Sequence, residues 1–268
     1  AKFSANGSLI WATYVGGRSG DEAKGITADQ NGNFYVAGST SSRKFPTTSG
    51  AYMTSLANGF LLKLAANGSL VWSTFLWDHA QDVAIDASGN LFVLGRVMSA
   101  AVALPTTASS FQQQFGGGND VYAAKFTGAG GLLWVTYCGG SGGESPGKVC
   151  TDPLGNAIIS GCTTSNDFPV TSGAYQTTYG GYDDGFLIKL DANGGGAWAS
   201  YIGGSQYDVE ARCASDASGN IVVAILGNST NLPVSSGAVQ PTNRGGGDWY
   251  IAKFSATCSP MWSTYYGG

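Results

Sequence analysis

The chain has 268 residues, of which 43% are hydrophobic, 11% are charged and 42 are glycine; its formal net charge is -4 and its pI is near 4.8. So apolar and aromatic a composition excludes a disordered chain, and so much glycine excludes a helical one. The acidic charge carries no basic block that would serve a nucleic acid, and no run of eighteen apolar residues offers a membrane-crossing helix.

The first predicted element is a hairpin in which AKF and SLIW flank the turn SANG. AKFSANGSLIW lacks the charged and apolar regions of a signal peptide, so any export signal is expected to have been removed. The hairpin recurs, because Trp11, Trp72, Trp134, Trp198 and Trp262 lie 61 to 64 residues apart and Lys2, Lys63, Lys125, Lys189 and Lys253 each stand nine positions before them. We label its strands C and D. A second hairpin, A–B, follows each of the first four, in GITADQNGNFYVAGST, DVAIDASGNLFVLGR, KVCTDPLGNAIISGCT and RCASDASGNIVVAILG. Its turn is Asp-x-x-Gly-Asn, in which Asp29, Asp86, Asp152 and Asp216 accept backbone N–H bonds and the glycine takes positive φ.

Both faces of the strands carry bulky residues, which implies sheets buried on both sides. The predicted fold is an all-β propeller of four-stranded antiparallel blades, with a β-sandwich as the alternative. The boundaries read as a half blade at 1–17 and blades at about 21–77, 78–139, 144–203 and 207–268, in a single domain with five blade positions. Five C–D hairpins against four A–B hairpins leave one hairpin unpaired. A ring with one thin blade, a segment of a longer propeller, or a hairpin that completes a blade in a neighbouring molecule would each account for it.

GFLLKLAANGSLVWSTF, GGSGGE, GGSQYD, the Asp-x-x-Gly-Asn turn, FPTTSGAY and FPVTSGAYQTTYGG together resemble the bacterial SBBP β-propeller repeat across nearly the whole chain. The resemblance implies a secreted or cell-surface scaffold or interaction module, and it brings no catalytic residues. The chain departs from the pattern at Leu76-Trp77-Asp78-His79, where a Gly-Gly link is missing, and at Val239 and Asn243, where aromatic residues are lost.

The lysine on strand C has apolar neighbours and needs a partner, for which the hairpin aspartate of the same repeat is the candidate. Asp21, Glu22, Asp78, Glu144 and Asp208 follow strand D and are read as caps of the link, with one calcium per link as the alternative. His79 is the only histidine, so neither a repeated catalytic triad nor a multi-histidine metal site can be assembled. No cofactor is expected. Cys138, Cys150 and Cys162 cluster in one repeat and could supply one disulfide, leaving Cys213 and Cys258, although buried thiols explain them equally. Asn6, Asn67 and Asn228 head N-glycosylation sequons, the first two coinciding with the C–D turn.

The long B–C loops pair Tyr52 with Asn58, Phe111 with Asp120, Tyr175 with Asp184 and, with the aromatic lost, Val239 with Asp248. An aromatic beside a carboxylate or amide suits sugar binding if the rings are exposed, and plugs the blade if they are buried. The expected function is a non-enzymatic extracellular or cell-surface scaffold that self-assembles through its unpaired half blade into a homo-oligomer or polymer. The alternative is a multivalent carbohydrate-binding propeller, so the expected partners are protein or glycan at the cell surface.

Overall fold

A computed structural model describes residues 1–268. The strands in chain order are β1 (Lys2–Phe3), β2 (Leu9–Trp11), β3 (Asp21–Ala28), β4 (Phe34–Thr40), β5 (Gly59–Leu64), β6 (Leu70–Leu76), β7 (Ala80–Ile85), β8 (Leu91–Val97) and β9 (Asp120–Phe126). There follow β10 (Leu132–Cys138), β11 (Glu144–Thr151), β12 (Ala157–Thr163), β13 (Asp184–Leu190), β14 (Gly196–Ile202), β15 (Asp208–Ser215), β16 (Ile221–Gly227), β17 (Asp248–Phe254) and β18 (Pro260–Tyr266). They form four antiparallel meanders, β3-β4-β5-β6, β7 to β10, β11 to β14 and β15 to β18, which are blades 1 to 4, and a separate β1-β2 hairpin. The fold is a β-propeller. Sequential meanders of four rule out the crossed connections of a Greek-key sandwich.

Local chemistry fixes each blade before blades meet. The four A–B turns close on Gly32, Gly89, Gly155 and Gly219, all at φ between 77° and 82°. In each, the aspartate side chain collects the turn's N–H groups, as Asp152 does from Leu154 and Asn156. The same aspartates receive the strand C lysines at 3.9 Å for Lys63 and Asp29, 3.6 Å for Lys125 and Asp86, 2.9 Å for Lys189 and Asp152, and 3.0 Å for Lys253 and Asp216. The ammonium therefore ties the third strand to the first turn of its own blade, and the pairing offsets part of what it loses on leaving water.

Successive blades stack through the first strand of one against the preceding sheet: β7 packs on blade 1, β11 on blade 2 and β15 on blade 3. Between them lie continuous apolar layers, such as Phe92, Leu94, Val149, Ile159, Phe186 and Ile188 between blades 2 and 3. A tryptophan lies at the outer edge of the junctions. Trp11 Nε1 donates to Ala66 O at 2.9 Å, Trp72 to Gly128 O at 3.1 Å and Trp134 to Ala192 O at 2.9 Å, each on the C–D turn of the next blade. The ring lies on that turn's glycine, and a Cβ at Gly68, Gly130 or Gly194 would come within 2.8, 3.2 or 2.7 Å of it.

Consecutive blades stack, but no strand of blade 4 packs on blade 1 or on the β1-β2 hairpin in this way. The sheets make an open arc, not the closed ring with one thin blade. The β1-β2 hairpin lies on blade 1 of its own chain, held by Trp11, whose ring is 5.7 Å from that of Phe34.

The tryptophan seat yields a test with a built-in control. Gly7 and Gly194 occupy equivalent turns at φ of 82° and 84°, but nothing lies within 4 Å of a Cβ at Gly7. Gly7→Ala is expected to cost about 1 kcal/mol from backbone strain alone, and Gly194→Ala roughly 3 kcal/mol because Trp134 is also displaced. Urea denaturation of both variants measures this, and equal losses would show that the ring does not depend on the glycine.

Candidate functional site

The B–C loops are built into the junctions. Tyr52 meets Trp77 and Phe126 edge-on with centroids 5.7 and 5.8 Å away, so its ring lies between blades 1 and 2. Phe111 covers Gly196 of blade 3, and its amide donates to Gly194 O at 2.9 Å. Tyr175 reaches blade 4, edge-on to Phe254 at 5.3 Å and with its hydroxyl 3.2 Å from that of Tyr250. Each ring is a wedge from one blade into the next. At blade 4 the equivalent Val239 has no blade to meet and is 82% exposed.

The paired polar residues point inward. Asp120, Asp184 and Asp248 are fully buried at the start of strand C, and each accepts the amide four residues before it, from Gly116 at 2.7 Å, Gly180 at 2.6 Å and Arg244 at 2.7 Å. Asn58, their counterpart in blade 1, donates from Nδ2 to Asp78 at 3.1 Å. Three glutamines that sequence reasoning passed over complete the arrangement. Gln112, Gln176 and Gln240 donate to Asp120, Asp184 and Asp248, while their Oε1 atoms accept the amides of Gly139, Gly203 and Gly267. The signal was present, since each follows the loop aromatic or Val239 and precedes the acid by eight positions.

The link carboxylates face these aspartates. Glu144 accepts from Gly140, Thr163 and Ser165, Asp208 from Gly204 and Ser229, and Asp21 from Gly17, Thr40 and Ser42. They cap the link, and no group of three or more histidines, cysteines and carboxylates is arranged to hold a metal. One oxygen of each of Asp120, Asp184, Asp208 and Asp248 has no hydrogen-bond partner. Burial pushes Asp120 up to about 6, opposed by the Gly116 hydrogen bond and reinforced by the Glu144 charge. Burial likewise lifts Asp184 to about 7, opposed by Gly180 and reinforced by Asp208. At Asp21, burial works upward, but hydrogen bonds from Thr40, Gly17 and Ser42 together outweigh it and hold the carboxyl low.

Two kinds of surface remain available to a partner. One is a polar axial cavity of about 710 Å³ bordered by Asp21, Glu22, Lys24, His79, Arg96 and Ser145, from blades 1 to 3. His79 Nδ1 lies 2.6 Å from Asp78, and this is its only side-chain hydrogen bond. The other is apolar and sits at the ends of the arc. Beside blade 1 is a cavity of about 330 Å³ lined by Trp11, Val15, Phe34, Val36, Phe60 and Leu62. On blade 4, Met261, Trp262 and Tyr266 are 53%, 42% and 64% exposed, whereas the equivalent Trp134 and Trp198 are 5% exposed.

Residues 10–46 match the β-propeller repeat named SBBP. This segment carries the SBBP-type β-propeller repeat. Among solved structures it is similar to a protein of unknown function from Dyadobacter fermentans, with a TM-score of 0.52 and 11% identity over 94% of this chain and 71% of the other. It is also similar to a protein of unknown function from Bacteroides caccae (TM-score 0.44, 10% identity, 98% of this chain and 73% of the other). A third likeness is to BamB from Moraxella catarrhalis (TM-score 0.37, 14% identity, 91% of this chain and 62% of the other). No curated protein sequence matches. The SBBP match and the strand topology carry the fold, and the Dyadobacter likeness bears on the fold alone.

The raised carboxyl at Asp184 gives a pH test. The folded protein holds this proton up to about pH 7, whereas an unfolded chain gives it up near 3.8, so folding loses stability as pH rises between those values. Asp184→Asn, the amide that blade 1 carries at Asn58, is expected to gain stability relative to the parent across that interval and keep the gain above it. Urea midpoints from pH 4 upward report the difference, and parallel profiles for the two proteins would refute it.

Proposed function

We propose that this SBBP-type protein is a non-enzymatic, secreted or cell-surface scaffold that works by adding blade to blade, its partner being a second copy of the chain. The carrying observation is the pair of unsatisfied junction halves at the two ends of the arc. On blade 4, Trp262 is exposed and its Nε1 makes no hydrogen bond within the chain, whereas its counterparts in the half blade and blades 1 and 2 donate to the next C–D turn. At the blade 1 end, the receiving carbonyl, Ala66 O, is held by Trp11 of the small β1-β2 hairpin.

The two competing hairpins share seven of eleven residues, AKFSANGSLIW in β1-β2 and AKFSATCSPMW in β17-β18. Blade 4 of one copy therefore fits the place of β1-β2 on blade 1 of the next, with Trp262 taking over Ala66 O. A four-stranded blade covers more of the apolar cavity than a two-stranded hairpin. The contact is heterologous, so it propagates until the arc closes or continues as a filament. The secreted location and the non-enzymatic reading are both drawn from the SBBP resemblance, which brings no catalytic residues.

Light scattering on purified protein over a wide concentration range tests the reading. Mass is expected to rise with concentration, Trp262→Ala to weaken association at least about tenfold as loss of a central aromatic anchor does, and removal of residues 1–15 to strengthen it by freeing Ala66. A protein that remains monomeric at high concentration, with and without residues 1–15, would sink it.

A further inference from the structure

All five thiols are free in the structure, and they are not grouped as the sequence suggests. Cys138 lies in the layer between blades 2 and 3, Cys258 sits on the C–D turn of blade 4, and Cys162 is half-buried on β12. Cys150 does not meet either of the cysteines nearest it in sequence. It meets Cys213, 63 residues away, with the two Sγ atoms 3.7 Å apart.

The approach is imposed by the backbone on both sides. Cys150 lies on β11 and Cys213 on β15, the first strands of blades 3 and 4, which run alongside each other. On one side Arg212 Nη1 donates to Gly147 O at 2.9 Å, and on the other Ser215 Oγ donates to Thr151 O at 2.6 Å. The thiols sit between these two inter-blade bonds, so neither can drift far from the other. A disulfide needs sulfurs about 2.05 Å apart, leaving a closure of about 1.7 Å that side-chain rotation supplies. Cys150 is half-buried and Cys213 buried, which makes Cys150 the thiol that an external oxidant reaches first.

We infer that Cys150 and Cys213 form a disulfide that staples blade 3 to blade 4. With a small disulfide as oxidant, the Cys150 thiolate attacks one sulfur and expels a thiolate, leaving a mixed disulfide on Cys150. The Cys213 thiolate then attacks Cys150 Sγ and expels the second thiolate. Two protein thiols lose two electrons and two protons, and the oxidant is reduced to two thiols. The neighbouring Cys213 thiol, together with burial, holds Cys150 above the ordinary thiol range, so the first step is favoured by alkaline pH. The bridge closes a loop of about sixty residues and acts mainly on the unfolded chain. It stands independently of the proposed self-assembly, since it joins two blades of one molecule.

The test incubates the full chain with oxidised glutathione at mildly alkaline pH, alkylates the remaining thiols and maps the unreduced peptides. The expected result is one linked peptide pair, Cys150 with Cys213, with Cys138, Cys162 and Cys258 alkylated. The melting temperature should rise by roughly 10 °C over the reduced protein, a gain absent from Cys150→Ser and Cys213→Ser. Alkyl label on both Cys150 and Cys213, glutathione that stays on Cys150 without passing to Cys213, or a bridge to any other cysteine would overturn the inference. The map is read on the parent protein, so it stands even if a serine variant folds poorly.

Discussion

A propeller blade of this type cannot be stable alone, because both faces of its sheet are apolar, and the structure depends on how one blade finds the next. The tryptophan on strand D supplies much of the answer. Its indole N–H has to donate to something once the ring is buried, and the C–D turn of the following blade offers a carbonyl beside a glycine. The glycine serves two purposes at Gly68, Gly130 and Gly194: positive φ closes the turn, and the missing Cβ leaves room for the ring. At the last junction the turn carries Cys258 at φ 62°, and Trp198 turns instead to Gly173 O, while Lys189 donates across the junction to Ala256 O. A junction that loses its glycine thus keeps the polar connection by another donor.

The repeat, the blade and the pairing of lysine with hairpin aspartate were legible because each rests on short-range chemistry: a period in tryptophan, a turn type, a charged residue on an apolar strand. The function of the B–C loop was not. Tyr175 and Asp184 suit a sugar platform as a list of residue types, and only the neighbouring blade, which the loop touches through Phe254 and Tyr250, distinguishes a wedge from an exposed platform. Cys150 and Cys213 were illegible for the same reason. Sequence proximity grouped Cys150 with Cys138 and Cys162, but Cys138 lies on the last strand of blade 2 and Cys162 pairs with Ser145 at the other end of β11 from Cys150, while equivalent strands of adjacent blades lie side by side.

The departures from the repeat are informative once the arc is seen. Val239 stands where Tyr52, Phe111 and Tyr175 supply rings, and it is exposed. Asn243 replaces the aromatic of Phe115 and Tyr179, which pack on the tyrosines of their own blades, and instead donates to Gly227 O and Ser229 O. Blade 4 nevertheless retains Trp262.

The buried aspartates are a costly choice, since burial raises the pKa of Asp120, Asp184 and Asp208, and one oxygen of each of these and of Asp248 is unpaired. The alternative is worse. At the Gly-Gly links the buried Gly140 and Gly204 have no strand partner for their N–H groups and find acceptors only in carboxylates, as the exposed Gly116 and Gly180 also do. An orphaned buried amide costs as much as a lost hydrogen bond, and each carboxylate satisfies one or more of these amides while also taking a glutamine, serine or threonine. Blade 1 supports this account by contrast. Its link to blade 2 is shortened to Trp77, Asp78 and His79, has no Gly-Gly amides to satisfy, and there the strand C acid is replaced by Asn58, which donates to Asp78 where the other junctions set acid against acid. The acids therefore follow the link. Where its Gly-Gly amides disappear, one of the two buried acids disappears with them.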